Sequence, residues 1–160
     1  MTEQNIEALP DSPDVLTFPP VIFFIFYVIG YVTDRAFPAD LGILHTRYAI
    51  GSVLIAAGIT MAAWAITQFV RAKTHVDVRK PATALVVSGP YRLSRNPMYL
   101  AMTLLYAGFA VGFSMPITLG LLIPCLALLH RGVIRREEDY LARKFGDEYR
   151  KYKARVGRWF

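Results

Sequence analysis

The sequence predicts an all-α integral membrane domain of about four transmembrane helices, with a tight C-terminal helical hairpin and a cytoplasmic amphipathic tail helix. Three observations predict it. Hydrophobic residues make up 54% of the 160 and charged residues only 19%, where soluble domains carry about 25% charged; the mean hydropathy is +0.36. The apolar residues fall into four blocks rather than being spread evenly. The Lys and Arg residues collect at the ends of those blocks, where basic side chains fix membrane orientation and meet anionic headgroups.

The first block, Val15 to Val32, is rich in Phe, Ile and Tyr, and the second, Tyr48 to Val70, has no charged residue over 23 positions. Pro97 to Phe113 and Met115 to Leu129 follow, 17 and 15 residues long. A spanning helix needs roughly 20 apolar residues, with a lower limit of about 17. The second block qualifies outright, and the first and third are adequate. The fourth reaches spanning length by running on through His130 to Ile134, with Arg131 snorkelling to the headgroups. Only Ser114, Met115 and Pro116 join the last two blocks, which forces an antiparallel hairpin. Gly108 and Gly112 form a small-xxx-small pattern that admits a close helix neighbour. That pattern is the sole hint of oligomerisation, and common glycine use in membrane helices explains it equally well.

Of the 18 Lys and Arg, six lie between Arg71 and Arg95 and ten between Arg131 and Arg158. The loop after the second helix and the C-terminal tail are therefore expected in the cytoplasm. The same clustering at membrane borders accounts for the net charge of +6 and argues against nucleic-acid binding. No cleavable signal peptide is expected, because the first seventeen residues lack Lys and Arg and carry Glu3, Glu7, Asp11 and Asp14. The only cysteine, Cys125, sits in an apolar run. It offers neither a disulfide framework nor a thiolate metal site, and no metal is expected. In the tail, 135–145 reads as a continuation of the fourth helix, Gly146 as its left-handed end and Asp147 as the cap of a following helix. Tyr149, Tyr152 and Val156 share a face of that last helix, with Trp159 and Phe160 as interfacial anchors.

Two segments carry candidate chemistry. From Leu85 to Tyr99 the chain combines strand-like residues, a Gly89-Pro90 turn, basic residues and an Asn96-Pro97 step into the third helix. Pro97 suits the first helical position and Asn96 its cap, so a helix start with Arg92 and Arg95 as cytoplasmic anchors explains the segment without a site. At the end of the fourth helix, Glu137 falls on one stripe with His130, Ile134 and Leu141 at 100° per residue. A carboxylate on an inward stripe at the membrane border is a functional candidate, and pairing with Arg95 is its structural alternative. Glu138 shares a face with Arg131 and Arg135, where ion pairing accounts for it.

Tyr91 through Tyr99, Glu137-Glu138 and the run Phe145-Gly146-Asp147-Glu148-Tyr149-Arg150-Lys151-Tyr152 together resemble the isoprenylcysteine carboxyl methyltransferase and phospholipid methyltransferase superfamily. Its members share a Gly-x-Tyr turn, an Arg-His-Pro-x-Tyr step into a helical hairpin, a Glu-Glu pair and a Phe-Gly-x-x-Tyr tail. The resemblance covers residues 70 to 157. It implies an S-adenosylmethionine site lined by Thr83, Ala84, Leu85, Val86, Gly89, Tyr91, Arg95, Asn96, Pro97, Tyr99 and Glu137, with His130, Arg131 and Glu138 towards the acceptor. It implies methyl transfer to a lipophilic acceptor arriving from the bilayer, without a dedicated nucleophile. Any general base is then Glu137, His130 or the acceptor itself. The chain departs from the pattern at two positions. Asn96 stands where the superfamily has His, which removes imidazole chemistry there. Val133 stands where the prenylcysteine enzymes have a substrate-contacting Arg, which argues against a prenylcysteine carboxylate. A catalytically silent scaffold of the same fold and an NADPH-dependent reductase are the competing readings. On this basis residues 1–160 form one membrane domain: a tail at 1–17, two helices within 18–70, and the cofactor-binding half at 71–160. A prokaryotic inner membrane, with the site facing the cytoplasm, is the expected location.

Overall fold

The computed structural model describes residues 12–43 and 45–159. They form helices without a strand: α1 (Pro19–Ala36), α2 (Arg47–Arg71), a 3₁₀ turn at Gly89–Arg92, α3 (Pro97–Gly112), α4 (Pro116–Leu129), a π-helical turn at His130–Ile134, and α5 (Arg135–Arg155). α4, the π turn and α5 as far as its kink at Gly146 run on as one rod. Among the described residues, α2 and this rod are long and apolar enough to cross a membrane; α3 is apolar but shorter. The first expected block begins four residues late, because Pro19 and Pro20 occupy the first helical turn. The strand-like run 85–87 stays irregular.

Packing follows residue size. α2 lies chiefly on α3 and α1 chiefly on α4, while α1 and α3 touch only lightly. A Cβ added at Gly51 would sit 2.8 Å from the Gly108 carbonyl oxygen and from the Cα of Gly112. The glycine pair on α3 therefore admits α2 of the same chain. The hairpin turn needs Ser114 at φ +54°, and its amides close onto Ala110 and Val111.

Two features had no signal in the sequence. Met115 precedes α4 and has no side-chain oxygen to cap it, so Asp34 of α1 reaches across. Its buried carboxylate accepts from the Ile117 amide (3.0 Å), the Thr118 amide (2.8 Å) and the Thr118 hydroxyl (2.6 Å). Gly30, one turn earlier on α1, gives Thr118 the room to approach. The second feature is the π turn. Such a turn inserts a residue into an α-helix and frees a carbonyl, here that of Gly132, which accepts from the Leu16 amide at 3.0 Å. The segment before α1 is thereby strapped to the rod, with Arg136 donating to the Asp14 carbonyl.

The tail is bent at Gly146, whose φ of +52° is the positive value expected there. Asp147, expected as a cap, instead binds Arg150 (3.0 Å). Tyr149 and Tyr152 are buried together with Tyr91 and Val86. Trp159, expected at the membrane interface, packs on the core formed by α1, α3 and α4; its expected companion Phe160 lies outside the described residues.

Candidate functional site

The site is assembled where the end of α2, the 3₁₀ turn, the start of α3 and the start of α5 converge. Gln68, buried near the end of α2, accepts a hydrogen bond from the Ser88 hydroxyl (2.9 Å). Gly89 follows at φ +60°, and a Cβ there would stand 2.7 Å from the Gln68 side chain. Only glycine combines that backbone with that neighbour. The turn buries Tyr91, whose ring meets Phe69 edge-on at 5.5 Å between centroids, and whose carbonyl accepts from the Tyr152 hydroxyl (2.7 Å). The loop between α2 and the turn is held from α5, since the Ala82 amide donates to the Tyr140 hydroxyl (3.0 Å).

The adjacent carboxylates of α5 are used in opposite ways. Glu138 is an ion-pair hub with a side chain only 7% exposed. It accepts from Arg158 at 2.8 and 2.7 Å, lies 3.0 Å from Arg95 Nη1 and 3.7 Å from Lys153 Nζ. Burial alone would raise its carboxyl, but the Arg158 hydrogen bond and the charges of Arg95, Arg158 and Lys153 outweigh it and hold the group below its ordinary value. Its expected partners Arg131 and Arg135 are not these. Glu137 has no such cation among the described residues: its Oε2 accepts from the Tyr99 hydroxyl at 2.6 Å. Burial pushes this carboxyl up to about 7, with the Tyr99 hydrogen bond opposing and the charge of Glu138 adding.

Two chambers meet here. The first is lined by Ala84, Leu85, Val86, Tyr91, Arg95, Asn96, Glu137 and Glu138, with Phe69, Tyr140, Leu141, Tyr149 and Tyr152. The second lies between the starts of α1 and α3, and shares Phe69, Tyr91, Arg95, Asn96 and Glu137 while adding Tyr99, Met98 and Met102. Pro13 and Phe18 of the strap, and Val76 and Val78 of the loop, close these spaces over. Arg79 lies over the Phe18 ring at 4.8 Å and so joins loop to strap. Arg95 borders both chambers. Its side chain is 9% exposed, and its Nε has no hydrogen-bond partner among the described residues.

Five sequence candidates lie outside both linings. Thr83 is turned to the loop, its amide and hydroxyl bonded to Thr74 and the Lys73 carbonyl. Gly89 and Pro97 shape backbone. His130, expected on the Glu137 stripe, leaves it because the π turn it opens rotates later positions by about 100°, and the same rotation parts Arg131 from Glu138, whose face it was expected to share. Asn96 does not cap α3. Its side chain donates to the Arg158 carbonyl (3.0 Å), which also receives the Ser94 hydroxyl (3.1 Å), and the Arg95 amide donates to the Gly157 carbonyl. The C-terminal strap is thus tied across the start of α3. The sequence reading missed Phe69, Tyr140 and the loop residues Val76 and Val78; the last two sit in a stretch without periodicity.

Among proteins of known sequence, a family model described as phospholipid methyltransferase matches residues 46–148. An uncharacterized protein of Haemophilus influenzae is 41% identical over 63 residues, covering 39% of this chain and 98% of that protein. No solved structure matches.

Proposed function

This chain belongs to the phospholipid methyltransferase family, and from that premise we propose that it transfers a methyl group from S-adenosylmethionine to a lipophilic acceptor at the cytoplasmic face of a membrane. The observation that carries the reading is Glu137. It stands on the wall shared by the two chambers, with Arg95 and Asn96 in both linings.

The residues present fit the donor. Arg95 is a buried guanidinium with an unused N–H, suited to a carboxylate. Phe69, Tyr91, Leu85 and Val86 supply an aromatic and aliphatic wall for a purine, and Glu137 can accept from ribose hydroxyls or an amino group. When bound, the donor supplies a methyl on a sulfonium centre, already activated towards an acceptor lone pair. The chain's own contribution is then positioning and exclusion of water. Tyr99 fixes the Glu137 carboxylate, Glu138 and Tyr149 fix Arg95, and the strap and loop close the chambers over. Glu137, with an ordinary carboxyl value displaced to about 7, can also take a proton shed by the acceptor. No imidazole lies in either lining except that of His75, which belongs to the loop.

We place all four helices in the bilayer, α4 together with its π turn forming the last span. α1 exposes Phe24, Ile29 and Val32, and α2 exposes Val53, Ile59 and Trp64, a girdle that lipid would solvate. The basic loop and α5 then face the cytoplasm, in a prokaryotic inner membrane. Calorimetric titration of detergent-solubilised protein with S-adenosylmethionine, S-adenosylhomocysteine and NADPH tests the reading. Saturable binding of the adenosyl compounds, lost in Glu137→Gln, is expected. NADPH binding alone would indicate a reductase, and silence from all three in folded protein would indicate a scaffold.

A further inference from the structure

We propose that the groove between α1 and α3 holds the hydrocarbon tail of a single-chain acceptor, whose head reaches Glu137 and Tyr99 through the second chamber. The proposal rests on the methyltransferase reading and names its substrate class.

The groove exists because the backbones of α1 and α3 stay apart, each committed to a different neighbour, α4 and α2, while the Tyr106 ring of α3 bridges them edge-on to Phe23 (6.2 Å) and Tyr27 (5.3 Å). Phe23 and Tyr27 of α1 face Met102, Leu105 and Phe109 of α3 across it, and its volume is about 400 Å³. It is continuous with the site, because Pro20 and Met102 line both the groove and the second chamber, which contains Glu137. An apolar trough on the outside of the bundle thus leads, past Pro20 and the flexible Met102 side chain, to the carboxylate that also borders the donor chamber.

This continuity selects the occupant. A lipid merely solvating the bundle has no need of an opening that ends on a buried carboxylate and phenol. An amphiphile does, with its reactive head inside and its tail left in the groove. The groove lies at the low end of the about 300–1,000 Å³ typical of ligand pockets, and it is a single furrow, so it accommodates one chain rather than two. Its α1 wall lies outside the residues 46–148 that the family model matches.

The test uses full-length protein in nanodiscs and two diazirine-bearing probes, a palmitic acid and a diacyl phosphatidylethanolamine, with crosslinked peptides mapped by mass spectrometry. The single-chain probe is expected to label α1 and α3 around Tyr27 and Met102, and Leu105→Trp, which fills the groove from a position outside both site chambers, to reduce that labelling by about tenfold with S-adenosylmethionine affinity unchanged. Should Leu105→Trp melt early, Leu105→Phe narrows the same groove and serves instead. Preferential labelling by the diacyl probe would overturn the single-chain claim. So would labelling scattered over the bundle, or an inter-chain crosslink in the groove, which would show a second copy there. In all these cases retained donor affinity leaves the methyltransferase reading standing. Loss of donor affinity in the unaltered protein would strike that reading itself.

Discussion

Replacing Glu138 with Gln should unfold the protein more readily than any other single change in the site. The carboxylate is 7% exposed and holds Arg95, itself 9% exposed, together with Arg158 and Lys153, which are 31% and 48% exposed. Glutamine keeps the shape but withdraws the charge, so Arg95 is left buried without a counter-ion. Breaking a buried pair in this way costs about 3–5 kcal/mol. The lower end applies here, because water can compensate Arg158 and Lys153. About 3 kcal/mol lowers Tm by roughly 6–12 °C in a chain of this size. Thermal unfolding in detergent, followed by tryptophan fluorescence, reads this directly. Glu137→Gln supplies the contrast. Compared near pH 5, where the parent's carboxyl is still protonated, Gln still accepts from the Tyr99 hydroxyl, and Tm should stay within roughly 2–4 °C of the parent, about 1 kcal/mol. Donor affinity measured above pH 7, by contrast, collapses. Equal melting of Glu138→Gln and the parent would refute the hub, and equal loss of donor affinity in the two variants would refute the division of labour between neighbouring carboxylates.

Further expectations follow from other parts of the structure. Glu137 has a folded value of about 7 against an ordinary 4.5, so folding binds an extra proton between those values, and stability should decline as pH rises from about 4.5 to 7. Donor affinity should climb over the upper part of the same window as the carboxylate ionises, a profile that calorimetry would find flattened in Glu137→Gln. Glu138 behaves oppositely: its value is depressed, so its contribution to stability is present above about 4.5 and fades as pH falls further; acid melts of Glu138→Gln should be flatter than the parent's. Asp34→Ala removes the cap of α4 and three hydrogen bonds, for about 2–3 kcal/mol, measurable as a lowered Tm without change in donor affinity. Gly51→Leu should force α2 off α3, since even a Cβ there meets backbone at 2.8 Å; an unshifted Tm would contradict that packing.

What could be read from the sequence divides along a physical line. Helix positions were legible because apolar blocks of 15 to 23 residues with basic ends are a long signal; the α2–α3 contact was half legible, since Gly108 and Gly112 announce a close neighbour without saying which. The cap from Asp34 was not, because it joins residues 84 apart in sequence with no local motif. The π turn was not either, and the miss had consequences: a uniform 100° period put His130 beside Glu137, whereas one inserted residue separates them. Of the site residues that the resemblance implied, Ala84, Leu85, Val86, Tyr91, Arg95, Asn96, Tyr99, Glu137 and Glu138 line the chambers, and Thr83, Gly89, Pro97, His130 and Arg131 do not. The loop residues Val76 and Val78 had no periodicity to betray them.

The substitution at position 96 is where structure changes the chemical argument. The resemblance places a histidine there, and its loss removes a candidate base. Yet the Asn96 side chain donates to the Arg158 carbonyl, and Arg158 in turn grips Glu138, which holds Arg95 in place. Position 96 thus acts through the C-terminal strap on the guanidinium that borders both chambers, and an amide performs that task without any proton transfer. Glu137 is left as the carboxylate that faces both chambers with no cation paired to it among the described residues. Asn96→Ala should therefore weaken donor binding through Arg95 while leaving the pH profile set by Glu137 in place. A shifted profile would instead assign position 96 a direct part in proton transfer.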